Sequence, residues 1–324
     1  MNILVFGKDG QLGKAFTSLL QKLPSFVNAQ VTYLGRSDCD LSNETAVLLK
    51  LHAVKPDLII NAAAYTAVDG AETEINMAYA INARAPELMA YYAVQRGATF
   101  LHYSTDYVFD GSKDGLYLEG DDLNPLGVYG KSKAAGEIAI ENIFSNSSQG
   151  QFAIFRTSWI YGEGENFIRT ILRLAKEREE LKVVHDQHGV PTSALWLAKL
   201  SLDLSLDEHF MIKKFVSGIY HAVPAGETTW YGLACFVTQV AIEAGVPLKV
   251  EPGAIKPILT VEYPRPAPRP KNSRMDCSKL HAALIASLSN ASNSYNEHQN
   301  MPNFQTWNGM VQEYVSQLAK DGLI

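Results

Sequence analysis

The chain has 324 residues, 47% of them hydrophobic and 19% charged, with a formal net charge of −6 at pH 7. That length suits one large domain or two ordinary ones, with enough apolar residues for a sizeable core. The negative charge excludes broad binding to nucleic acid or to an anionic membrane surface, and no stretch approaches the ~18 uninterrupted apolar residues of a membrane span.

In chain order, ILVFG (3–7) predicts a strand ending at glycine, with a helix over LGKAFTSLLQKL behind it. VTYLG (31–35) predicts a second strand, NETAVLLKLHAV a helix and DLIINAA (57–63) a third strand. APELMAYYAVQRG then predicts a helix and TFLHYST (99–105) a fourth strand. Short β-branched runs separated by helices of ten or more residues indicate βαβ units and a parallel sheet. FAIFRTS (152–158) and SGIYHAV (217–223) read as later strands of the same sheet. Beyond it, the prolines of EYPRPAPRPKNSR (262–274) exclude a regular helix. The Ser- and Asn-rich span 287–303 predicts a surface loop, and TWNGMVQEYVSQLAKDG a closing helix.

The cysteines, Cys39, Cys235 and Cys277, lie far apart and lack the Cys-x-x-Cys spacing of zinc or redox sites, so buried thiols in a reducing compartment are expected. The N-terminus enters an apolar run without a basic leader, and a cytoplasmic protein is expected. His185 and His188 have His-x-x-His spacing without the helix and glutamate of a zinc site, so no metal is expected there. The acidic run 110–122 reads as a solvated loop able to close over a ligand.

Gly7, Gly10 and Gly13 punctuate the first strand-to-helix turn. Glycines let a backbone approach a pyrophosphate, and the free N–H groups of the helix start receive its charge. The spacing is Gly-x-x-Gly-x-x-Gly rather than Gly-x-Gly-x-x-Gly, and a turn serving packing alone has the same composition. After the second strand, Arg36 offers a partner for a ribose 2′-phosphate, while Asp38 or Asp40 offers one for a free hydroxyl. Ala62, Ala63 and Ala64 suit a backbone lying close to a bulky ligand, or tight helix–sheet packing. In VYGKSK (128–133), Tyr129 and Lys133 stand four apart and share a helical face, as a catalytic pair or an amphipathic surface pair; Lys131 points elsewhere.

GKDGQLG, NAAAYT, STDYVFDG, VYGKSK, RTSWIYG, DQHGVPT and RPKNSRMDCSKL occur in that order. Together they resemble the extended short-chain dehydrogenase/reductases over nearly the whole chain. The resemblance implies an α/β fold: a Rossmann-type doubly wound parallel sheet with a smaller, partly discontinuous C-terminal substrate lobe. Residues 1–160 would hold the dinucleotide, with elements near 186–223 returning to that half, while 161–185 and 224–324 form the substrate lobe. It implies Tyr129 as proton donor and Lys133 as its partner, lowering the phenol's pKa and touching the nicotinamide ribose. Thr105, or Ser104, would be the hydroxyl that orients tyrosine and substrate, with Asp106 and Trp159 near the sugar. Gly7, Gly10, Gln11, Leu12, Arg36, Asp40, Leu41 and the alanines 62–64, together with Tyr129 and Lys133, would meet the cofactor, NADPH or NADH.

The activity so implied is reduction of the 4-keto group of a dTDP-sugar, dTDP-4-dehydro-6-deoxy-L-mannose, to dTDP-L-rhamnose. Neither nucleic acid nor membrane is an expected partner, and a homodimer stays open. Two other readings remain: a nucleotide-sugar epimerase or dehydratase that recycles its cofactor, and a non-catalytic regulatory subunit like that of methionine adenosyltransferase.

Overall fold

The computed structural model describes residues 1–22, 29–207, 209–289 and 305–324. Its centre is a six-stranded parallel sheet of β1 (Asn2–Phe6), β2 (Gln30–Leu34), β3 (Leu58–Asn61), β4 (Thr99–Thr105), β5 (Gln151–Thr157) and β6 (Gly218–His221). The strands lie in the order β6-β5-β4-β3-β1-β2.

The predicted strands form because nearly every inner residue is apolar and both faces are covered. Ile3, Val5, Leu58, Ile60, Leu101 and Phe155 pack on one side against α1 (Gln11–Leu20) and the helices Ala194–Ser205 and Ser278–Ser289. Leu4, Phe6, Ile59, Phe100, Phe152 and Ile154 pack on the other side against α2 (Glu44–Val54), α3 (Ala85–Arg96) and α4 (Val128–Ser145). Successive strand residues alternate between the two layers, as a period of two requires.

The first helix ends at Leu20, earlier than the pattern over 12–23 suggests, with Gln21 as its C-cap. Asn43 caps α2 by accepting from Ala46 N at 3.1 Å. Strand order reverses between β1 and β3, and in open α/β sheets ligands bind outside the carboxyl ends of strands at such a switch point.

A second core gathers Ile168, Leu172, Leu233, Val237, Val311 and Val315 from the helices Phe167–Glu177, Trp230–Glu243 and Trp307–Lys320. Beside it Leu181–Val184 pairs in parallel with Ile255–Ile258. Between these segments the chain returns to the first core through Ala194–Ser205 and β6. The proline-rich residues 264–270 form neither helix nor strand. Most of the Ser/Asn-rich span read as a surface loop lies outside the described residues; its first three residues end the helix Ser278–Ser289.

The acidic run 110–122 is not simply a solvated loop. Tyr117 is buried, stacks on Phe109 at 4.1 Å and donates its hydroxyl to Asp110. Its backbone N donates to Arg274 O, and Glu119 accepts from His221 N at 2.9 Å. One buried aromatic anchors the run, a signal that its acidic composition masks.

Candidate active site

The loops after β1 and β3 meet backbone to backbone at the switch point. Gly7 has φ +86°, and a Cβ there would sit 2.7 Å from Ala63 N; one at Gly13 would sit 1.9 Å from Gly7 O. Only glycine satisfies both the left-handed φ and the close approach. Gly10 N donates to Gly7 O at 3.0 Å and Gly10 caps α1 without a side chain, leaving the helix's first N–H groups open to an anion. Leu12 is buried, and Gln11 reaches Ile160 O at 3.4 Å.

At the end of β2, Arg36 is exposed. Asp38 pairs with Lys8 at 2.5 Å and accepts from Gly35 N, and Asp40 accepts the N–H and O–H of Ser42. Both carboxylates therefore sit below their usual pKa, through the hydrogen bond from Lys8 and the backbone bond from Ser42 respectively. Leu41 is buried beside them. These residues fit a dinucleotide: a glycine cradle at a helix start, an alanine-lined wall and an exposed arginine at the end of β2.

Thr105 ends β4 and caps the following turn by accepting from Tyr107 N at 3.2 Å. Its hydroxyl donates to Asp106 Oδ1 at 3.0 Å, and the Ser273 hydroxyl donates to Asp106 Oδ2. Asp106 is 2% exposed, and burial lifts its pKa to about 6 against both hydrogen bonds. Tyr129 lies in the first turn of α4, where the backbone runs so close that a Cβ on Gly130 would be 2.1 Å from Tyr107 O. Glu72 accepts from Val128 N at 2.8 Å and fixes that turn. Burial raises the Tyr129 phenol to about 12; a hydrogen bond with Thr105 lowers it and the Asp106 charge raises it. Thr105, Asp106 and Tyr129 thus converge. Ser104, one residue back, has a buried Oγ with no partner among the described residues.

Lys133 is 1% exposed, donates to Tyr103 O at 2.5 Å and lies 3.2 Å from His102 Nε2. Burial lowers its pKa to about 8, against the field of Glu137. The polar edge of β4 offers its head group a carbonyl and a ring nitrogen. Lys131 is exposed.

Trp159 is held at φ +46°, stacks on Trp230 at 3.7 Å and packs against the second core. Trp230 Nε1 donates to Gln187 at 3.1 Å. Asn61, His102, Ser273 and Trp230 were not singled out from sequence. Ser273 stood within the motif RPKNSRMDCSKL and Asn61 opened NAAAYT, while His102 and Trp230 had no local signal of a role.

A dinucleotide cradle at a switch point, with a Thr–Tyr pair at the carboxyl end of the next strand, defines an oxidoreductase of the short-chain dehydrogenase/reductase type. The family model described as the RmlD substrate binding domain matches residues 1–299, and the chain belongs to that family. It is 44% identical over 287 residues to the dTDP-4-dehydrorhamnose reductase of Escherichia coli (strain K12), covering 86% of this chain and 91% of that one. The dTDP-4-dehydrorhamnose reductase structure from Clostridium acetobutylicum superposes with TM-score 0.80 at 34% identity, covering 98% of this chain and 99% of that one. The Bacillus anthracis reductase, solved in complex with NADP, gives TM-score 0.79 at 30% identity over the same shares of the two chains.

Proposed function

We propose that the chain reduces dTDP-4-dehydro-6-deoxy-L-mannose at C4, with NADPH or NADH, to give dTDP-L-rhamnose. The observation that carries this reading is the convergence of Thr105, Asp106 and Tyr129 beside the glycine cradle, in a chain so similar to reductases of that name. A bound nicotinamide supplies the hydride. The chain's task is to orient the ketone and deliver one proton to O4.

Tyr129, a protonated phenol at neutral pH, is the donor, since an alkoxide forming at C4 is a far stronger base than a phenolate. Thr105 orients the phenol, and its one proton, held on Asp106 Oδ1 in the ligand-free protein, would turn from there to the developing oxyanion. Ser104, whose hydroxyl has no partner among the described residues, Asp106 and Trp159 face the sugar in this reading. Lys133 meets the ribose hydroxyls; Gly7, Gly10, Gln11, Leu12, Arg36, Asp40, Leu41 and Ala62–Ala64 hold the rest of the dinucleotide. A cytoplasmic setting belongs to this reading. No helix among the described residues is long and apolar enough to cross a membrane.

Incubation of purified protein with the dTDP-4-keto sugar and NADPH tests the assignment. Stoichiometric cofactor oxidation with formation of dTDP-L-rhamnose is expected. Turnover of a nucleotide sugar without net oxidation would instead mark an epimerase or dehydratase.

A further inference from the structure

Beneath Thr105 and Tyr129 lies a buried polar chain of which the proposed reduction uses only the lysine at its end. Asn61 ends β3, His102 stands in the middle of β4, and Lys133 reaches them from α4. Asn61 and His102 are fully buried and Lys133 nearly so. Asn61 Nδ2 is 3.1 Å from His102 Nδ1, and His102 Nε2 is 3.2 Å from Lys133 Nζ. At the outer end, Asn61 Oδ1 accepts from Ala63 N at 3.3 Å, inside the alanine loop that faces the glycine cradle.

Donor counting restricts this chain. With Asn61 Oδ1 on the Ala63 N–H, its amide N–H₂ points at His102 Nδ1, which must then be the bare, accepting nitrogen. A neutral imidazole so arranged carries its proton on Nε2 and directs an N–H at Lys133 Nζ. An ammonium has no lone pair to receive it; an amine has one, and two N–H groups left, one of which serves Tyr103 O. An ammonium fits only if His102 carries its proton on Nδ1, which requires Asn61 to turn its amide over and release Ala63 N–H. We infer that Asn61 and His102 are positioning residues forming one coupled switch, in which the charge of Lys133, the tautomer of His102 and the availability of the Ala63 N–H change together.

The surroundings suit such a switch. Among the described residues the charge that acts on His102 is that of Lys133, and the charge that acts on Lys133 is that of Glu137, itself bound to Arg156 of β5. Tyr129 on the same helix is un-ionised at neutral pH, and the neighbours Asn82 and Ser132 are neutral. Burial lowers the proton affinity of both lysine and histidine. The consequence for function rests on the reductase reading: charging the lysine for a ribose would open a backbone donor in the dinucleotide loop, so the two halves of the cofactor site become competent together.

The test is the ¹⁵N spectrum of histidine rings and lysine Nζ in ligand-free, full-length protein as a function of pH, and it needs no turnover. A failed reductase assay therefore leaves it intact, and its own failure leaves the assay intact. His221, the other fully buried histidine of the described residues, is an internal reference, because its Nδ1 faces Asp276 O, an acceptor, and must stay protonated. His102 is expected to pass from the Nδ1–H to the Nε2–H tautomer with the same midpoint at which Lys133 Nζ loses its proton. A His102 tautomer that stays constant while Lys133 titrates, or an imidazolium at neutral pH, overturns the inference. Asn61→Asp, whose carboxylate only accepts, should lock the Nδ1–H tautomer across the range; if that variant does not fold, the wild-type titration alone decides.

Discussion

The Ser273 hydroxyl donates to Asp106 Oδ2 across 167 residues of sequence, binding the proline-rich C-terminal segment to the end of β4. The carboxylate it meets is the buried acid beside Thr105, whose pKa stands at about 6 against an ordinary 3.8. The folded protein binds that proton more tightly than the unfolded chain, so Asp106 loses the protein stability as pH rises from about 4 to about 6, and the loss is complete above that. Two pKa units correspond to about 3 kcal/mol. Asp106→Asn, which keeps an acceptor for Thr105 and can donate to Ser273, should be more stable than wild type by up to that amount above pH 6. The gain should vanish below about pH 4, as urea unfolding at a series of pH values will show. If Asp106 holds the sugar, turnover of the same variant falls about 10- to 100-fold, the worth of one charge-assisted hydrogen bond. A site acid kept at the expense of stability is the expected trade-off.

Tyr129→Phe removes the proton donor and leaves the glycine cradle untouched. Steady-state reduction of the dTDP-4-keto sugar should fall by about 10²- to 10⁴-fold, the usual contribution of a positioned general acid. Binding of NADPH, followed by fluorescence, should change by less than about threefold, under 1 kcal/mol. Near-normal turnover in this variant would remove Tyr129 from the mechanism.

How much of this was legible in the sequence depends on distance along the chain. The strands of the central sheet were readable because a buried parallel strand needs an apolar run, and ILVFG or the start of FAIFRTS is one. Gly7 and the alanines were readable because a backbone-to-backbone approach leaves a compositional trace. The spacing of Tyr129 and Lys133 placed both on one helical face. It could not show where a flexible four-carbon chain sends its ammonium, which is decided by a ring and a carbonyl on β4. Ser273 and Trp230 were silent for the same reason: their partners, Asp106 and Trp159, are brought to them only by folding. The acidic run misled because one buried residue, Tyr117, outweighs several exposed charges in deciding where a loop lies.

Gly130 is the point where α4 passes the turn after Thr105, with no room for a methyl group 2.1 Å from Tyr107 O. Gly130→Ala must push the helix start away from β4 or strain the turn. Overpacking of this kind costs about 1–3 kcal/mol, which a shift in the urea midpoint measures. Because Tyr129 is the neighbouring residue, turnover should drop by about 10²-fold, as expected for a displacement near 1 Å at a reacting group. Dinucleotide affinity, proposed to be set at the glycine cradle, should hold.

Glu137, two turns beyond Tyr129 on α4, is fully buried and binds Arg156 of β5 through three nitrogen–oxygen contacts of 2.7–3.2 Å. Arg156 also donates to Glu119 O and lies over the Phe109 ring, so its guanidinium ties the helix, the sheet and the acidic run together. Glu137→Ala leaves that guanidinium buried with its carboxylate gone, and removal of one partner of such a pair destabilises by about 3–5 kcal/mol. Replacing both residues, as Glu137→Leu with Arg156→Met, removes the unpaired charge and should recover most of the loss in denaturant unfolding. The Lys133 pKa distinguishes the pair's two roles. Glu137 raises it, so the refolded double variant should carry a lysine that deprotonates at lower pH than wild type, and its reduction rate should depend on pH over a correspondingly lower range. If stability returns and the pH profile stays where it was, the pair is purely architectural.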